Sequence, residues 1–500
     1  MRIRCAWQVA GFLLTFVARR VLRAGALRLA PVRWAAVGSI VLLLASTTVL
    51  AYQFLEPFSR DADVWRLLFG ASTVSLLVWV MAAFLLVKVL FLSSDGLLEL
   101  THQLPVSGKE RAVAFMLFEM AITVGLSCAT ALPVALSALL LIGPPAAVLV
   151  VTSMLAPALL AYVLLASLHV LVVRLLVAAR QRPIANLVAI LVVFGVVVAY
   201  SSQMNALVGR VADFGGGEVH PWPTVVAWMA ARAGVPAALA AVVACLGLLS
   251  ALNIALLPRQ YVASSRYLRL QLPSRLSKTL TAYDWCFVRS QHFLISSVAT
   301  AATAVLLLVG TQTHPLWALS LFSIGGLYLF SATAPLRAGG GPRTSSPLRT
   351  YWWLLRPQLL TMSTVAVPVL LVGALAGRTA GALSPLLAAL LSAALTTCIG
   401  VVFPAERDNP MSAFVGLSVT TVLLTLVALG VGLLQLPLVG AVLGMTAVFI
   451  GYAVLGIRTD EMRRRHEGIR GGDQLGRRRG AADARPRRRL VVGVDVLDRG

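Results

Sequence analysis

Charged residues are scarce in this sequence: only 12% of its 500 positions are Asp, Glu, Lys or Arg, whereas 59% are hydrophobic. A soluble globular domain with that balance would expose large apolar patches, so the composition excludes one and demands a membrane. Cysteine is equally thin. Cys5, Cys128, Cys245, Cys286 and Cys398 stand singly, with no CxxC and no histidine at ligand spacing, which removes a disulfide framework and a zinc site. The six histidines are isolated, and HExxH and GxSxG do not occur. No GxxxxGK[ST] loop is present to cradle phosphates. The chain therefore reads as a non-enzyme with no nucleotide site, metal or cofactor of its own.

What the sequence does have is hydrocarbon in long, unbroken runs. Runs of about 20 apolar residues cross a bilayer as helices, and they lack the alternation of a membrane strand. The expected fold is all-α, a polytopic membrane helix bundle of about 12 transmembrane helices. The candidate spans are 34–54, 67–91, 112–141, 146–173, 184–201, 235–257, 292–310, 315–334, 357–376, 382–403, 413–433 and 437–457. Very short links join some of them, at Gly143–Pro145, at Thr311–Pro315 and near Gln435. Pro133 and Pro157 fall inside apolar runs, where each removes a backbone hydrogen bond and bends the helix.

The formal charge is +23, yet its distribution argues against nucleic acid as a partner. With the N-terminus inside, every basic residue except Arg60, Arg66, Arg210, Arg232 and Arg378 falls in a cytoplasmic segment, as the positive-inside rule requires. Both termini are then cytoplasmic, and the spans divide six and six. The expected parts are a basic arm over 1–33, a first half over 34–257, a basic linker over 258–291, a second half over 292–457 and an Arg-rich tail over 458–500. In the arm, arginines flank the short apolar stretch AWQVAGFLLTFVA on both sides, the pattern of an interfacial helix rather than a cleaved signal. The tail has too few large apolar residues for a core and is expected to be disordered beside anionic headgroups. An external stretch, 203–233, is expected to form a loop plus a helix at the outer interface.

Ionisable groups inside spans are the default functional suspects, because burying a charge is costly. Lys88, near the end of the second span, and Glu119, two turns into the third, are placed to pair across antiparallel helices. The alternative is that Lys88 snorkels to the interface and Glu119 is a protonated or water-exposed helix contact. His169 reads as a helix–helix hydrogen-bond donor.

One loop stands out. SSDGLLELTHQLPVSGKER, Ser93–Arg111, lies between the second and third spans on the cytoplasmic side. Asp95 and Glu99 precede an amphipathic turn, Leu104-Pro105-Val106-Ser107 breaks it, and Lys109-Glu110-Arg111 opens the next helix. Ser107 followed by Glu110 spells a capping box. This segment resembles the permease subunits of type-two ABC exporters, in which a Leu-Pro-Val-Ser segment followed by basic residues between these two spans is common. The basic N-terminal arm and the missing nucleotide site are similar to that family too, and the likeness covers roughly the first third of the chain. It implies a coupling helix gripping a separate ABC ATPase subunit that carries ATP and Mg, with Asp95, Glu99, Leu104, Pro105, Val106, Ser107, Lys109 and Glu110 as contact residues.

The corresponding second-half loop, APLRAGGGPRTSSPLRTYWWLLRPQ, is again basic and rich in proline and serine but has no Leu-Pro-Val and no carboxylate. QLPSRLSK, in the linker, echoes QLPVSGK at the wrong topological position. The expectation is an ATP-driven exporter subunit in a bacterial plasma membrane, the bacterial origin suggested by the preference for Arg over Lys. It would move an amphipathic or apolar substrate, as a single pseudo-dimeric chain or a homodimer. The rivals are an ion-coupled secondary transporter of major-facilitator type and an integral membrane enzyme acting on lipids. Glu218 with His220 is the external acid–histidine pair such an enzyme would use.

Overall fold

The computed structural model describes residues 3–22, 30–91, 101, 106–181, 184–213, 222–256, 279–310, 314–338, 346–375, 381–404, 435 and 437–483, with side chains of the last helix up to Met462. Among the described residues the protein is all helix. The first half holds α1 (Ile3–Leu22), α2 (Ala30–Leu55), α3 (Ala62–Phe91), α4 (Gly108–Ile142), α5 (Pro145–Ala178), α6 (Ala185–Asp213), α7 (Val225–Ala233) and α8 (Val235–Leu256). The second holds α9 (Ala282–Val288), α10 (Gln291–Gly310), α11 (Pro315–Ala332), α12 (Ala334–Ala338), α13 (Pro347–Leu375), α14 (Leu383–Val402) and α15 (Leu438–Asp483).

Ten of these helices, α2 to α6, α8, α11 and α13 to α15, are long and apolar enough to cross a membrane. Of the two further spans expected, 292–310 is α10, whose apolar stretch His292–Val305 is shorter, and 413–433 lies outside the described residues. The segment 203–233, expected outside, carries α7. The last helix departs from expectation. It runs past 457 to Asp483, so the first part of the Arg-rich tail is helical rather than disordered. A sequence too polar to build a core still satisfies its backbone within a helix, and composition alone does not forbid that.

Several local features follow from the chemistry of their residues. The α4–α5 link turns at Gly143, whose φ of 81° suits glycine. In α5, Pro157 has no N–H to offer the Ser153 carbonyl, and a π-helical turn, Val151–Leu155, sits just before it. Buried Thr73 of α3 compensates: its hydroxyl lies 2.6 Å from the Ser153 carbonyl and 2.8 Å from that of Phe69, sharing one proton between them.

Each half packs round its own core, one containing Phe69, Phe84 and Tyr162, the other Phe287, Phe322 and Leu354. In the first, α3 packs on α4 and α5, α4 on α5, and α5 on α8. In the second, α11 packs on α13 and α14, α13 on α14, and α14 on α15. These four contacts thus recur, and a flanking helix recurs with them, α1 on α4 and α9 on α13, whereas α2 packs on α4 but α10 on α11. The halves meet where α6 packs on α10. Large apolar side chains on the spans face outward, among them Leu42 and Leu50 of α2, Leu140 of α4, Leu248 of α8 and Leu371 of α13. Such surfaces suit hydrocarbon and not water.

Candidate functional site

The loop that the sequence singles out is described only at Thr101, which is buried, and where it enters α4. Asp95, Glu99, Leu104 and Pro105 lie outside the described residues, as do Glu218 and His220. Ser107 is extended (φ −67°, ψ 155°) and caps α4. Its Oγ accepts from the Glu110 N–H at 3.3 Å, and the Glu110 carboxylate accepts from the Ser107 N–H at 3.0 Å. Two donors that the helix start would leave orphaned are satisfied reciprocally. Ser107 and Lys109 are exposed, whereas Glu110 is buried.

The arm lies directly against this entry. Ala6, Ala10, Leu13 and Val17 of α1 bury one face against Val113, Ala114 and Phe118 of α4, with Val106 half-buried beside them. Trp7 and Phe12 point the other way and are exposed. This is the division of faces that an amphipathic helix needs if protein takes one side and an interface the other.

Deeper in the first half, Lys88 Nζ donates to Glu119 Oε2 at 2.6 Å, with side-chain exposures of 18% and 16%. The ammonium also stands 5.5 Å from the centre of the Phe84 ring. Tyr162 of α5 donates its hydroxyl to the Met116 carbonyl at 2.9 Å, and His169, about two turns further along the same face of α5, meets Phe84 edge-on at 6.3 Å. Three helices, α3, α4 and α5, are joined within this cluster. Sequence reasoning reached Lys88 and Glu119 as a candidate pair and His169 by itself. Tyr162 was missed, because a lone tyrosine in an apolar run carries no signal of its partner.

The second half has its own polar contacts, none of them anticipated. Asp284 of α9 is buried, accepts from the Thr281 N–H (2.8 Å) and hydroxyl (2.7 Å), and lies 3.7 Å from the Arg356 guanidinium of α13. Arg337 of α12 stacks on Phe330, donates to its carbonyl at 2.6 Å and reaches Asp460 of α15 at 3.4 Å. Gln358 of α13 is fully buried and donates to the Thr397 hydroxyl of α14 at 2.8 Å. The Thr281-x-x-Asp284 spelling was a readable cap signal. On α9, burial raises the pKa of the Tyr283 phenol, with Arg337 opposing, and that of the Cys286 thiol, with Arg289 opposing. No group of three or more metal-ligating side chains gathers among the described residues.

The fold and its outward hydrocarbon define a polytopic helical membrane protein. Compared with known proteins, the chain matches no family model, no curated relative and no solved structure.

Proposed function

We propose that the chain is the transmembrane permease subunit of an ATP-driven exporter, coupled to a separate ATPase that brings ATP and Mg. The observation that supports this most is the entry to α4. A rigid capped helix start, with Ser107 and Lys109 exposed, is braced by α1 at the end that charge alternation assigns to the cytoplasm. A partner that pushes there acts on a lever and not on a slack loop. The recurring packing of the two halves suits a single pseudo-dimeric chain receiving two such pushes. An amphipathic or apolar substrate agrees with spans that carry few charged side chains, of which Lys88 and Glu119 pair with each other.

The test is purification of the tagged chain from its native membrane in mild detergent. An ATPase without spans of its own should come with it, and Leu104→Asp or Lys109→Glu should release that ATPase while the permease stays folded. Retention of the ATPase by both variants would sink the coupling proposal. A second reading, ion-coupled secondary transport, draws on the Lys88–Glu119 pair. It requires transport that persists without ATP and stops when the ion gradient is collapsed.

A further inference from the structure

The two halves share a packing pattern but hold their loop-flanking helices by different chemistry. Lys88 lies one turn before the end of α3, where the chain leaves for the 92–105 loop, and Glu119 lies on the helix that receives the chain back. Their ion pair therefore closes the base of that loop. Tyr162 ties α5 to the same turn of α4, through Met116, and His169 and Tyr162 both meet the Phe84 ring one turn from Lys88.

In the second half, Gln358 occupies the register of Glu119. It stands twelve residues after Ser346, as Glu119 stands twelve after Ser107, and Ser346 accepts from the Arg349 N–H at 3.4 Å as Ser107 does from Glu110. Gln358 is neutral and bonds to α14 rather than to the helix before its loop. The basic residue that ends that preceding segment, Arg337, reaches away to α15. Backbone proximity does the rest: a Cβ on Gly400 of α14 would lie 2.8 Å from the Gly326 carbonyl of α11, and one on Gly326 would lie 2.6 Å from the Gln358 side chain. Close glycine crossings of this kind hold helices together by backbone packing, without an ion pair.

We propose that Lys88 and Glu119 are positioning residues that make α3, α4 and α5 respond as one body to a push at the entry to α4, and that among the described residues no such ion pair joins the corresponding helices α11, α13 and α14, since the ion pairs of the second half run from α9 to α13 and from α12 to α15. The coupling part rests on the exporter reading above, whereas the fastening part does not. A partly buried pair suits this work, since removing one partner leaves the other charge uncompensated in a low-dielectric setting and drives the helices to rearrange.

Pulsed electron resonance between spin labels at Ala82 of α3 and Lys109 of α4, in a cysteine-free background in bilayer discs, reads the fastening in the chain alone. Lys88→Gln and Glu119→Gln should each broaden the distance distribution, and the charge-swapped K88E/E119K chain should restore it. Unchanged single variants, or a swap that fails to restore the narrow distribution, would overturn the proposal. In complex with the ATPase, ATP should shift a label at Leu164 of α5 in the parent and the swapped chain but not in the single variants. A shift retained in the single variants also overturns it. If no ATPase assembles, the exporter reading fails and the isolated-chain distances still decide the fastener.

Discussion

At position 400 a single methyl group has nowhere to go. The Cβ of an alanine there would lie 2.8 Å from the Gly326 carbonyl oxygen and 2.9 Å from that of Leu327, and both are main chain. Overpacking that side chains cannot relieve costs about 1–3 kcal/mol. Gly400→Ala is therefore expected to lower the thermal midpoint of the detergent-solubilised protein, whereas Gly125→Ala, in open space on α4, should leave it unchanged or raise it slightly. An unchanged Gly400→Ala midpoint would mean that α11 and α14 do not cross so closely. Gly400 gives no warning in the sequence, where it is one glycine among 39. The partner that makes it irreplaceable is more than 70 residues away, and only the crossing brings the two together.

At the scale of the element, the start of α4 shows how much a short motif can settle. Ser107-x-x-Glu110 is legible as a capping box because both hydrogen bonds are local and the spacing alone decides whether they form. Ser107→Ala should cost about 1 kcal/mol. Hydrogen exchange of the amides in the first turn of α4 would report it, with faster exchange at Glu110 and little change beyond that turn. Ser346→Ala should cost less, because Arg349 stands where α4 has a carboxylate and half of the box is missing. Equal losses at the two sites would show that the Glu110 carboxylate adds nothing. The tail is the opposite case. Its composition speaks against a core, yet α15 continues to Asp483, because a helix needs only its own backbone.

For the whole molecule, the strongest expectation concerns topology. Twelve spans with alternating basic loops would place both termini and the 92–105 segment in the cytoplasm and the segment around α7 outside. Reporter fusions after residue 98, within 214–220 and at the C-terminus should give cytoplasmic, external and cytoplasmic activity in that order. An external C-terminus would mean that 292–310 or 413–433 does not cross. The sequence by itself determined the helical membrane class, most span positions and the cap of α4. Hydropathy over about 20 residues and hydrogen bonds within one turn are local quantities. Only the tertiary structure decided that Lys88 holds Glu119, that Arg337 holds Asp460, and that Gln358 turns to Thr397. Those pairings depend on the rotation and register of helices far apart in the chain, set by packing summed over whole interfaces and not by any one residue's neighbours.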